Sequence, residues 1–292
     1  MRGIAVGAGV GIALALAPLV CAAHHESIGG TSPGRVALET LLALLLLVSA
    51  AGYASGVARL WRHAGRARGI GWTDVGRFAL SWITLAAALF SPIDTFADRS
   101  FALHMVQHEL LMVVAAPLLV ASRTFEAWIW ALRGGGGLGT LAAIGSAWRW
   151  LAAPNRAWWL HAAALWLWHV PSFFTAALEN DGLHALQHLS FFGSALLFWW
   201  AVQGRGQGRR EGTALTMLVT TMLHMNALGL LLTFSPDAWY AQGQLPLFGL
   251  SALEDQQLGG LVMWMLGGMA YVVAGLRVVA RWLVPRRQAH RT

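Results

Sequence analysis

The chain has 292 residues, of which 57% are apolar and only 11% charged, less than half the charge of a typical soluble domain. That balance excludes a soluble globular protein, whose surface would need more polar residues. The formal net charge is +7, but all 20 basic residues are Arg and they sit in short segments between apolar runs, which excludes a basic nucleic-acid-binding stripe. A single Cys, Cys21, excludes a disulfide framework or a Cys-based zinc site within one chain.

Residues 1–23 read as a secretory signal: Arg2, an apolar run from Ile4 to Val20, then the small residues Cys21-Ala22-Ala23. An uncleaved extra membrane helix is the alternative, but the run lacks the length and flanking charge of a comfortable span. Val20 before Cys21 argues against a lipoprotein site. Cleavage after Ala23 would leave a free amine on His24, and that amine with the His24 and His25 imidazoles would chelate Cu(II). The plainer reading of these two residues is an exposed terminus.

Seven apolar segments follow, at about 36–58, 77–93, 101–122, 157–178, 184–203, 213–234 and 255–277, each near the ~20 residues that cross a bilayer. The predicted fold is all-α: one polytopic transmembrane helix bundle over 24–292, with lipid rather than nucleic acid around it. If the seven helices alternate, 17 Arg fall on one side, in the segments 59–77, 123–156 and 204–212 and in the tail. Only Arg35 and Arg99 fall on the other, together with Glu26, Asp94, Asp98, Glu179, Asp181, Asp237, Glu254 and Asp255. The Arg-rich side is cytoplasmic. The mature N-terminus is therefore outside, as a cleaved signal also predicts. The segment 123–156, with Gly134–Gly137 and flanking Trp residues, predicts short interfacial helices.

On this map the histidines converge toward the outer leaflet. His104 and His108 open the third helix, and His184 and His188 open the fifth. His169 precedes Pro171 in the outer half of the fourth, and His224 lies near the middle of the sixth. Both pairs are His-x-x-Gln-His, 80 residues apart. Residues four apart share a helix face, about 6 Å apart along the axis, so each pair can present two imidazoles to one centre. Imidazoles inside a bilayer are costly and normally mark function. Imidazole suits copper, zinc and iron, and the nearby thioethers of Met105, Met112, Met222 and Met225 would favour Cu(I). A single histidine can equally be a hydrogen-bond partner between helices, and the methionines can simply pack. Asp255 is a candidate ligand, a residue that orients an imidazole, or an N-cap of the seventh helix. The candidate metal set is His104, His108, His169, His184, His188, His224 and Asp255. His63, His161 and His290 fall near the cytoplasmic side and carry no expectation.

At these residues the chain resembles the caa3-type cytochrome c oxidase assembly factor family, the Bacillus-type CtaG membrane proteins. The likeness rests on His104-Met-Val-Gln-His-Glu-Leu-Leu-Met112 with Pro117, and on Trp168-His169-Val-Pro171. It extends to His184-Ala-Leu-Gln-His188 with Phe191 and Trp199-Trp200, to His224-Met225, and to Leu253-Glu-Asp-Gln-Gln257 through Met263-Trp264. The resemblance implies a role in maturing a haem–copper oxidase, through its copper, with no catalytic turnover. It implies as partners the oxidase subunit that carries the active-site copper and a periplasmic copper donor.

Other readings stay open at this point. Paired histidines can ligate haem in a carrier or an oxidoreductase, although an i, i+4 doublet suits axial ligation poorly. A metal transporter would need a path to the cytoplasmic side, and the inner halves are largely apolar. A metallohydrolase has no His-Glu-x-x-His here, since Met112 stands three residues after Glu109.

Overall fold

The computed structural model describes residues 33–133, 138–204, 211–240 and 249–283. The expected signal segment, His24, His25, Gly134–Gly137 and His290 lie outside the described residues. Among the described residues the chain is all-helical, with no strand. Five helices are long and apolar enough to cross a membrane: Gly34–Ala64, Phe101–Ala121, Asp181–Val202, Glu211–Thr233 and Ala252–Leu283.

Helix α1 (Pro33–Ala64) opens on a proline, whose missing N–H costs nothing at a first position. Its 32 residues give about 48 Å of rise, longer than a ~30 Å hydrocarbon core. It stops at Gly65, whose φ of +95° suits a glycine after a helix C-terminus. α2 (Trp72–Phe90) runs into Ser91, whose hydroxyl accepts from Ile93 N–H and starts the short α3 (Pro92–Ala97).

Helix α4 (Phe101–Ala121) is the most enclosed of the five. It contains a π-helical turn at Leu110–Ala115, just before Pro117. A proline inside a helix removes a donor and displaces the preceding turn. In an apolar interior carbonyls around such a break are stabilised by other donors, and neighbours supply them. Trp199 Nε1 donates to Met112 O at 2.8 Å, Ser81 Oγ to Ala115 O at 2.8 Å, and Gln203 Nε2 to Pro117 O at 3.0 Å.

The segment 123–156, expected to form short helices, forms α5 (Thr124–Leu132) and α6 (Leu138–Leu151). α5 packs along α1, and Arg59 of α1 donates to the Ala131 and Arg133 carbonyls at the end of α5.

The segment 157–178 differs from its expectation as one helix. It is broken into α7 (Pro154–Trp168) and α8 (Pro171–Glu179). The cause is Pro171, which drives Val170 to extended backbone at φ −68°, ψ 126°. The 15 residues of α7 rise only about 22 Å. α2 and the α7–α8 pair are the two expected segments outside the set of five.

α9 (Asp181–Val202) starts at Asn180, whose side chain accepts from Leu183 N–H at 3.0 Å. α10 (Glu211–Thr233) and α11 (Ala252–Leu283) pack against each other through Gly229 and Gly260. A Cβ on Gly229 would lie 2.9 Å from Gly260 O, and one on Gly260 would lie 2.6 Å from Gly229 O. Only glycine permits that approach, the small-residue contact that membrane helices use. α11 carries its own π turn at Met263–Gly267. The main core fills the space between α4, α7, α9, α10 and α11.

Candidate metal centre

Asp255, in the first turn of α11, fixes the start of α4. Its carboxylate accepts from the Phe101 and Ala102 amides and from Ser100 Oγ. One turn further on comes His104, and one turn beyond that His108, on the same face of α4. Their ring centroids are 4.3 Å apart, edge to face. On α9, His184 and His188 repeat the spacing with centroids 4.4 Å apart. The two pairs face each other. His104 lies 5.3 Å from His184 and 6.1 Å from His188, and His108 lies 5.3 Å from His188.

Ligand nitrogens of His104, His184 and His188 all lie within 4.8 Å of one another. Three atoms so spaced share a point within about 2.8 Å of each, close to the ~2.0–2.1 Å of a metal–imidazole bond. The donors are free for that role. Both nitrogens of His104 and of His108, and Nε2 of His184 and His188, are buried with no hydrogen-bond partner among the described residues. Gln187 and the Ala97 backbone both approach His104, without meeting full hydrogen-bond geometry. Buried imidazole nitrogens without partners are expensive, and the group could hold a metal ion.

The other expected residues divide. His108 adjoins the group of three, against Phe191 at 4.5 Å. His169 caps the end of α7, with Nδ1 2.6 Å from Leu165 O and Nε2 3.4 Å from Met105 Sδ. His224 is set apart: its ring lies 5.7 Å from Trp158, edge to face. Asp255 has both oxygens engaged at the start of α4.

Gln107 of the first motif reaches away from the imidazoles, donating to Ala88 O at 2.7 Å and to Asp94 Oδ1 at 2.8 Å. Asp94 in turn faces Arg35, which also pairs with Glu39 and Asp98. This ion network touches the same end of the bundle as His184, which feels Asp98, Arg35 and Asp181.

Two residues without a sequence-based expectation stand out. His161 is fully buried, with Nδ1 3.1 Å from Ser194 Oγ and Nε2 3.4 Å from Tyr271 OH, tying α7 to α9 and α11. It precedes His169 by two helical turns on one face, a spacing visible in the sequence. Glu109 is 2% exposed, and neither carboxylate oxygen has a hydrogen-bond partner among the described residues. An acid in the middle of an apolar span was its signal.

The model of the cytochrome c oxidase caa3 assembly factor family matches residues 51–284, which include every histidine of the cluster. The chain belongs to the caa3 assembly factor family. Uncharacterized proteins of Mycobacterium bovis and Mycobacterium tuberculosis are each 26% identical to this family member over 269 residues, covering 84% of this chain and 39% of theirs. An uncharacterized protein of Mycobacterium leprae is 24% identical over 283 residues, covering 87% of this chain and 40% of its own. The chain thus spans about two fifths of the length of these relatives. No solved structure matches it. For this member of the caa3 assembly factor family, the geometry adds a named set of imidazoles to a family described by its pathway.

Proposed function

We propose that the chain is a bacterial inner-membrane assembly factor that binds copper through its outer-leaflet histidines and helps to metallate a haem–copper cytochrome c oxidase. The observation that carries this reading is the convergence of ligand nitrogens from His104, His184 and His188 within 4.8 Å. Family membership supplies the pathway, and the imidazole chemistry supplies the cargo. Seven spans with the N-terminus outside would put the cluster near the outer face. His108 and His169 would complete or flank the set. Copper would arrive from a periplasmic donor and leave sideways, by ligand exchange, to the oxidase subunit that carries the active-site copper. The chain's own residues bind and orient, and no turnover is required.

Haem is the weaker reading. Each helix presents an i, i+4 pair with centroids 4.3–4.4 Å apart, which sets two imidazoles side by side rather than on opposite faces of a macrocycle. The test is anaerobic purification with measurement of bound metal, then repetition with His104, His108, His184 and His188 each changed to Ala. Copper bound by the parent and lost from the His104, His184 and His188 variants is the expected outcome. Unchanged stoichiometry in all four, or a Soret band in place of copper, overturns the reading.

A further inference from the structure

Met105 and His169 face each other in a way that simple packing does not account for. His169 Nδ1 lies 2.6 Å from Leu165 O. A carbonyl only accepts, so Nδ1 must carry the hydrogen. In a neutral ring Nε2 is then a bare lone pair. It points at Met105 Sδ, 3.4 Å away, and a thioether sulfur also offers only lone pairs. The opposite tautomer would set a nitrogen lone pair 2.6 Å from the Leu165 oxygen. A doubly protonated ring would bury a charge among residues that are 5% and 1% exposed. Two donor atoms thus converge with no hydrogen between them.

We infer that Met105 Sδ and His169 Nε2 are ligands of a soft monovalent cation, Cu(I), at a position beside the three-histidine group. This rests on the reading of copper as cargo. Bond lengths of ~2.0 Å to nitrogen and ~2.3 Å to sulfur, with the donors 3.4 Å apart, give an N–metal–S angle of about 104°, near tetrahedral. The pair is held for this role. Tyr240 OH donates to His169 O at 2.6 Å, so the histidine is fixed through both backbone and ring. His108, with both nitrogens unpartnered among the described residues, lies against the same Phe191 ring as His169 and would supply a third ligand. A thioether selects by softness: it strengthens Cu(I) or Ag(I) binding and adds little for Zn(II). The two positions together would let one ion exchange between a sulfur-containing and an all-imidazole environment.

The experiment uses the full chain in detergent under anaerobic conditions. Cu(I) and Ag(I), a redox-inert stand-in, are titrated against a competing chelator, Zn(II) serves as control, and X-ray absorption is recorded on the Cu(I) form. The expected result is a sulfur scatterer near ~2.3 Å in the parent that disappears in Met105→Leu, with Cu(I) and Ag(I) affinity down at least tenfold and Zn(II) affinity unchanged. Leucine conserves volume. His169→Phe, which keeps a ring, should give the same loss and replaces Met105→Leu as the test if that variant aggregates. A sulfur scatterer and Cu(I) affinity that survive both changes overturn the inference. The triple variant His104→Ala, His184→Ala, His188→Ala separates the two claims. If it alone loses copper, the cluster reading stands and this inference fails. If only Met105→Leu and His169→Phe lose copper, the reverse holds. A parent chain that binds neither Cu(I) nor Ag(I) sinks both.

Discussion

The carboxylate of Asp255 accepts the backbone N–H of Phe101 at 2.6 Å, so the last helix of the bundle caps the helix that carries the first histidine pair. The second oxygen takes Ser100 Oγ at 2.7 Å and Ala102 N–H at 3.2 Å. The cap of α11 itself is a different residue, Ser251, with Glu254 closing a reciprocal capping box. Asp255 therefore acts between helices. It satisfies amides left orphaned at a helix start, and it sets a negative charge against the positive end of the α4 dipole. His104 begins the next turn, its N–H bonded to Ser100 O at 3.0 Å.

Asp255→Ala should lower stability by about 1–2 kcal/mol, the usual cost of an N-cap. Thermal unfolding in detergent reads this as a fall in midpoint. Metal affinity should fall with it while stoichiometry holds, because the residue positions α4 and its oxygens are already engaged. A variant with unchanged midpoint but altered metal coordination would instead make Asp255 a ligand.

Trp199→Phe tests the repair of the π turn in α4. The indole N–H is the donor to Met112 O, and a buried carbonyl stripped of its donor costs about 1–3 kcal/mol. Phenylalanine keeps an aromatic ring against Tyr271, whose ring lies 5.8 Å away and nearly parallel. Destabilisation should therefore track the lost hydrogen bond. Backbone amide exchange should quicken around Leu110–Ala115 before it changes in α9. Uniform exchange across the bundle would mean that Trp199 contributes volume alone.

Much of this arrangement is legible in the amino-acid order. His104 with His108, and His184 with His188, share faces because four residues make about one turn, and the structure closes the two faces on each other. The all-helical class follows from long apolar runs that only helices satisfy. What the order does not give is azimuth. His224 is placed by depth, yet its ring packs edge to face on Trp158 rather than joining the cluster. Asp255 has the type and position of a ligand, but what it contacts depends on how α11 crosses α4. The break at His169 was foreshadowed by Pro171, and an apolar count alone runs straight through it. Glu109 and His161 escape because neither repeats at the four-residue spacing of the histidine pairs, although Glu109 adjoins His108 and His161 precedes His169 by eight residues.

Arg35→Gln should change kinetics more than stability. Arg35 is about one third exposed and pairs with Glu39, Asp94 and Asp98, and such pairs contribute about 0–1 kcal/mol. Its removal leaves the acids beside His184 unopposed. One unit charge at about 8 Å in water is worth ~0.5 kcal/mol, roughly twofold in rate. Ag(I) association by stopped flow should accelerate by about that factor at low salt, and the gain should all but vanish near 1 M salt, where the screening length is ~3 Å. A salt-independent change would point to rearrangement through Gln107 rather than to charge.

Gly267 provides the last test, because its missing side chain is what lets Met225 and Glu109 meet α11. A Cβ there would lie 2.2 Å from Met225 Cε, 3.0 Å from Met225 Sδ and 3.1 Å from Glu109 Oε2. Gly267→Ala must therefore displace Met225, the flexible partner, at a cost of about 1–3 kcal/mol for overpacking. Met225→Ala alone leaves a cavity costing about 2–5 kcal/mol. In the double variant the new methyl occupies part of that cavity and meets no sulfur, so the two losses should not add. A double-mutant cycle on unfolding midpoints should show the pair less damaging than the sum by about 1 kcal/mol, within the range for residues in contact. Additive losses would mean that the π turn at Met263–Gly267 yields to the new side chain, and that Met225 is not what fixes its shape.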